Sequence, residues 1–200
     1  RKDLRIIAQD RPFLQSLPNT RQHLFWVHDA SASRLSLVRK VSDHLRSGGA
    51  ALTFPAGRIE PDPDICDDAL ASLETWTDSV GLFVRLVPQT AVVPMLVRGV
   101  LWPRTARHPL LRIKRTREER ERLAAAFQLL AHVMWRVRPV TVRVHIGRPI
   151  TASALKTTNA RAVHDAVMVE MKRLLATAGP VPDDEENNGD ESAITESLPA

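Results

Sequence analysis

A chain of 200 residues has room for one domain, or one domain with an appendage, and 44% apolar with 26% charged residues is the balance of a globular chain. Its single cysteine, Cys66, excludes an internal disulfide framework and a multi-cysteine zinc site, and no apolar run reaches the roughly 18–20 residues of a membrane span. The formal charge of +5 hides a division: residues 180–200 hold seven acidic side chains and no Lys or Arg, so residues 1–179 carry 28 basic against 16 acidic side chains, a net of +12.

From Leu4 to Ala8 the chain is short, β-branched and strand-like, and Leu24–Val27 is a second apolar run. Ser33–Ser47 reads as a helix. Leu35, Leu37, Val38, Val41 and Leu45 fall mostly at helical spacing, Ser33 stands as its cap, and Gly48-Gly49 ends it. Ala50–Phe54 is a continuous apolar strand of the kind buried on both faces of a parallel sheet. A proline-rich loop covers 55–63, and Asp67–Asp78 is expected to be helical. Gly81–Val87 fits a strand by propensity and a helix by position. Thr90–Val97 reads as a second buried strand. Thr116–Val137 is the clearest helix, with Leu123, Phe127, Leu130 and Met134 along one stripe. Pro139–Ile146 alternates, so one face is exposed, with His145 on the polar side. Asn159–Ala176 is a last amphipathic helix, burying Val163, Val167, Met171 and Leu174. No repeat and no signal-peptide pattern is seen. The tail from Pro180 to Ala200 has too few large apolar residues to offset its ordering entropy and is expected to be disordered.

This alternation argues for an α/β fold with a mixed, largely parallel central sheet flanked by helices over residues 1–179, followed by an acidic tail over 180–200. Ligands of such sheets sit at the carboxyl ends of strands, which directs attention to the residues just after Phe54 and Val97. There is no G-x-S-x-G elbow, Walker A loop, dinucleotide fingerprint or H-E-x-x-H zinc motif. The seven histidines are scattered and read as structural or exposed. The informative stretch is Leu52–Glu60, where an apolar strand runs into a Pro-x-Gly turn and at once presents Arg58. Glycine lets a backbone approach a ligand closely, and arginine can grip a phosphate through a charge-assisted fork. The plainer reading is a strand-ending turn with a solvated arginine.

Phe54-Pro55-Ala56-Gly57-Arg58 resembles the F-P-E-G-T-R block of the glycerolipid acyltransferases, the 1-acylglycerol-3-phosphate acyltransferase family. Val92-Val93-Pro94-Met95 resembles that family's V-P-V strand, and Ile146-Gly147-Arg148-Pro149-Ile150 its late G-x-P-I turn, in the same order. The resemblance covers about residues 1–176. It implies transfer of a fatty acyl group from acyl-CoA or acyl-carrier protein to a hydroxyl of a phospholipid precursor, with no metal or bound cofactor. It assigns substrate binding to Phe54, Pro55, Gly57, Arg58 and Pro94. The family's catalytic pair is a His followed five positions later by Asp, and none of the seven histidines is so followed. No catalytic residue is therefore assigned within these 200 residues, and the pair is expected ahead of Arg1. The block also carries Ala56 in place of Glu and brings its arginine one place early, leaving Ile59 where the arginine usually stands. Val27 is followed by His28-Asp29 where the family has an arginine. Such F-P-A-G variants resemble a subgroup acting on acceptors other than glycerol phosphate.

Between Arg98 and Arg122 lie nine Lys or Arg against three Glu, interleaved with Trp102, Leu110 and Leu111. That pattern suits an anionic membrane surface, at about 1 kcal/mol per basic residue near the headgroups. A solvated helix face or a nucleic-acid backbone site are the other readings of the charge, but no RNA- or DNA-binding signature accompanies it. The expectation is a cytoplasmic protein held peripherally on the membrane face, engaging an acyl-thioester donor and a lipid acceptor. The alternatives are a catalytically inactive lipid-binding homologue and a basic nucleic-acid-binding module.

Overall fold

The computed structural model describes residues 3–17, 19–27, 31–58, 60–66, 68–101, 116–135 and 141–178. Two expected features lie largely outside them, the basic segment from Trp102 to Arg115 and the acidic tail. His28, Asp29 and Ile59 lie outside them as well.

The N-terminal third is a parallel sheet. β1 (Leu4–Gln9) pairs with β2 (Leu24–Val27) on one side and β3 (Ala50–Leu52) on the other, giving the order β2-β1-β3. A four-residue helix, α1 (Pro12–Gln15), follows β1. The crossover from β2 to β3 is made by α2 (Ser31–Arg46), so Ser33 lies in the first turn of that helix rather than at its cap. α2 seals the sheet through Val41, which is fully buried, and through His44. The His44 ring meets Phe25 edge-on at 5.5 Å, and its Nε2 lies 2.8 Å from the Asp3 carbonyl oxygen and 3.2 Å from that of Ala50. Two carbonyls can only accept, so Nε2 carries the proton. β3 is shorter than the expected Ala50–Phe54 and, among the described residues, pairs only with β1; its residues are half-buried rather than buried on both faces.

The expected helix over 67–78 is broken. α3 (Ala69–Ser72) passes into a 3₁₀ turn over Leu73–Thr75, and Trp76 is extended. The reason is tertiary: Trp76 Nε1 donates to Glu60, and Thr77 donates to the Pro55 carbonyl, pulling the chain out of the helix. The stretch that fitted both periods is helical, as α4 (Ser79–Leu86).

The expected strand over 90–97 is two strands, β4 (Ala91–Val92) and β5 (Met95–Arg98), and both are antiparallel to their partners. β5 pairs with β6 (Arg143–Ile146), and β4 pairs with β7 (Ile150–Thr151). The parallel sheet therefore has three strands, and the later strands form antiparallel two-stranded pieces.

α5 (Arg117–Trp135) starts at Thr116, whose hydroxyl accepts from the Glu119 N–H. Leu123 and Phe127 pack with Leu101 and Ala124 as the stripe predicts, but Leu130 and Met134 are exposed. α6 (Ala152–Leu155) is a single turn. α7 (Ala160–Thr177) is capped by Asn159, whose Oδ1 accepts from the N–H groups of Arg161 and Ala162. α7 carries most of the core. Val167, Met171 and Leu174 close over Leu73 and Leu96, while Val163 packs with Val84 and Ala152. Among the described residues, no helix is long and apolar enough to cross a membrane.

Candidate functional site

The turn after β3 is closed by the Gly57 N–H donating to the Phe54 carbonyl at 3.0 Å. Gly57 has φ +65°, a conformation that a side chain disfavours, while a Cβ there would meet no atom within 4 Å. Its glycine is required by the backbone turn, and the space above it is open. The Pro55 carbonyl is held by the Thr77 N–H and hydroxyl, both at 3.2 Å. Phe54 and Arg58 project from this pinned turn, and both are exposed. Among the described residues Arg58 forms no hydrogen bond or ion pair, so its five N–H donors face solvent.

The loop continues inward. Asp62 is buried, and its carboxylate accepts from the N–H groups of Val100 (2.8 Å) and Gly99 (3.3 Å), with Leu101 at 3.5 Å. Asp64 pairs with Arg98: Nε donates to Oδ1 at 2.7 Å, and Nη2 closes on the same oxygen. Arg98 Nη1 donates to the Ala178 carbonyl at 2.6 Å. The two aspartates thus tie the Arg58 loop to the carboxyl end of β5 and to the end of α7. Gly99, at φ +71°, lets the chain turn there, and a Cβ on it would lie 2.7 Å from the Thr141 carbonyl oxygen.

The second meeting point is at Pro94. Between the pairs Val92↔Ile150 and Met95↔Ile146, one strand has two residues (Val93, Pro94) and the other has three (Gly147, Arg148, Pro149). The extra residue is a bulge, which proline favours because it has no N–H for the ladder. The Gly147 N–H donates to the Pro94 carbonyl at 2.8 Å, and the spare Arg148 N–H donates to Glu170 Oε1 at 2.7 Å. A Cβ on Gly147 would sit 3.0 Å from the Glu170 side chain. Arg173 grips both oxygens of Glu170, at 2.6 and 2.9 Å. The Arg173 hydrogen bonds first, and then the Arg148 N–H, hold the Glu170 carboxyl down to about 2.

The V-P-M strand and the G-R-P-I turn that the sequence singled out are therefore in direct contact, and Pro94 is buried within that contact. Among the described residues the Arg58 turn is tied toward them by Asp62, Asp64 and Arg98, and by Glu60 through Trp76, which packs against the core that also holds Val92 and Ile150. Among the described residues no hydrogen bond or ion pair links Arg58 to Pro94. Sequence reading missed Asp62, Asp64 and Glu170; the first two stand in an acidic, proline-rich loop (Glu60-Pro61-Asp62-Pro63-Asp64) and the third on a helix, and only long-range contacts reveal their roles. A shallow cleft of about 480 Å³, lined by Asp78, Arg85 and residues 157–161, lies elsewhere and shares no residue with the turn. Among the described residues no group of three His, Cys, Asp or Glu is placed to hold a metal ion.

Compared with protein-family models, curated proteins and solved structures, the chain matches none.

Proposed function

We propose that the chain belongs to an acyltransferase that moves a fatty acyl group from acyl-CoA or acyl-carrier protein to a hydroxyl of a phospholipid precursor, working peripherally on the cytoplasmic face of a membrane. The observation that carries this reading is Arg58. It is an exposed guanidinium without a partner among the described residues, on a turn pinned at Pro55 and Glu60, at the carboxyl end of an α/β strand. Such a group suits the phosphates of a thioester carrier or of a lipid headgroup. The exposed Phe54 beside it offers an apolar contact for the pantetheine or acyl part, and Gly57 keeps the space above the turn open.

In the proposed reaction the acceptor hydroxyl oxygen attacks the thioester carbonyl carbon, the C–S bond breaks, and the thiol leaves with the hydroxyl's proton. By resemblance a His oriented by an Asp carries that proton. Arg58 contributes binding and orientation.

The test is acyl transfer by the natural gene product from acyl-CoA or acyl-carrier protein to lysophospholipid acceptors. Arg58→Ala is expected to lower kcat/KM at least roughly tenfold with unchanged circular dichroism, the loss of one charge-assisted phosphate contact. Unchanged kinetics would remove Arg58 from the site. A second reading is favoured by one specific observation, that none of the seven histidines is followed five positions later by Asp. It is a lipid-binding homologue without catalysis, which binds vesicles and transfers no acyl group. Salt-sensitive retention of RNA or DNA without vesicle binding would replace both.

A further inference from the structure

β5 and β6 bury one face against α7 through Leu96 and leave the other open. On the open side Met95 stands opposite Ile146 and Val97 opposite Val144, with exposures of 41%, 67%, 47% and 54%. The expected polarity of β6 is inverted: Arg143 and His145 are the half-buried residues and the aliphatic ones face outward. The cause lies across the ladder. Arg143 and His145 stand opposite Arg98 and Leu96, which face inward because Arg98 is bonded to Asp64 and to the end of α7. Val93 and Val142 continue the alternation on the open side and are also exposed. A contiguous aliphatic face of this kind marks a contact surface.

We propose that this open face of β5 and β6 is the surface by which the protein seats on an anionic lipid bilayer. The inference rests on the membrane-surface part of the reading above and gives it a location. The occupant must be apolar where it meets Met95, Val97, Val144 and Ile146, and negatively charged to suit a basic body. The chain leaves the face at Arg98 and returns to it at Val142. Residues 1–179 carry a net charge of +12, Arg120 and Arg122 on α5 are exposed, and the same helix exposes Leu129, Leu130, Val133 and Met134. Arg148, also exposed, comes two residues after Ile146 at the bulge. Anionic headgroups over acyl chains present that combination. A second copy does not: its residues 1–179 would bring the same net +12.

The experiment is flotation of the full chain with phosphatidylcholine vesicles, with and without phosphatidylglycerol. Three proteins are compared: wild type, the triple variant Val97→Thr, Val144→Thr, Ile146→Thr, and Leu35→Gln as a control at an exposed leucine on α2. Threonine keeps the strand propensity, and circular dichroism checks the fold. Wild type and Leu35→Gln are expected to float only with the anionic vesicles, and the triple variant to partition at least roughly tenfold more weakly. A triple variant that floats like wild type overturns this face while leaving the membrane-surface reading intact. A wild type that does not float overturns both. Equal flotation on neutral vesicles removes the charge argument and with it the anionic occupant. A wild-type dimer in light scattering that the triple variant splits would assign the face to a second copy and overturn the proposal.

Discussion

Replacing Gly81 by alanine puts two opposed effects on one helix, and the structure decides between them. Alanine is the better helix former by about 1 kcal/mol. The added methyl, however, would lie 2.7 Å from the Cα and the carbonyl carbon of Ala160, and closer still to its carbonyl oxygen. Ordinary carbon contacts begin near 3.5 Å, so α4 and the start of α7 must part by about 1 Å. The obstacle is backbone, which has no rotamer by which to yield. The same parting loosens Val84 against Val163 one turn further on, where both are almost fully buried. Overpacking of this kind costs about 1–3 kcal/mol, and a backbone obstacle belongs at the upper end. Net of the propensity gain, Gly81→Ala is expected to be less stable by about 1–2 kcal/mol, which lowers Tm by about 2–8 °C in a domain of this size. Urea unfolding monitored by far-ultraviolet circular dichroism, with a thermal melt, reads both numbers. A variant as stable as the parent, or more so, would refute the close approach of α4 to α7.

Two further outcomes rest on the buried polar ties. Arg98→Met leaves Asp64 buried without its cation and is expected to cost about 3–5 kcal/mol in urea unfolding, whereas adding Asp64→Leu recovers most of the loss; equal stability of the single and double variants would contradict that account. Glu170 is held at about 2 in the folded protein, below its ordinary value of 4.5, so its contribution is fully present above that value and fades as pH falls toward 2. Glu170→Gln should therefore lower Tm at neutral pH and flatten the dependence of Tm on pH between those limits. Parallel melting curves for the two proteins across that window would show the carboxylate to be uncoupled from folding.

How much of the fold was legible in the sequence depends on whether the signal was local. α7 could be read because its four apolar anchors recur at helical spacing and its cap, Asn159, is the preceding residue. β1 and β2 were legible for a similar reason. The β4–β5 break was not, because Val92-Val93-Pro94-Met95 has the composition of one buried strand, and the interruption arises from a bulge against Gly147 to Pro149, far along the chain. The inversion of β6 was hidden by the same distance. A strand's own alternation defines two faces, but the inward one was chosen by Arg98, which binds to residues 64 and 178. At the site, the Pro-x-Gly turn and its arginine were visible as a local motif. The aspartates that moor it to the rest of the fold act through long-range contacts, which the run Glu60-Pro61-Asp62-Pro63-Asp64 does not reveal.

The ribbon of β4–β7 also sets a timetable for synthesis. β1, β2 and β3 lie within the first 52 residues and can pair as soon as they emerge. β5 ends at Arg98, but the residue facing it there is Arg143. At about 5–20 residues per second, a ribosome needs about 2–9 s to deliver that partner. Throughout that interval Met95 to Arg98 is a finished strand with nothing to pair with, followed by the most basic stretch of the nascent chain. The buried Arg98–Asp64 pair can form earlier, since Asp64 has already emerged, but the final tie to Ala178 waits for the last turn of α7. The N-terminal sheet and the ribbon are thus separated in time, and the second half of the fold closes only once Ala178 has been made.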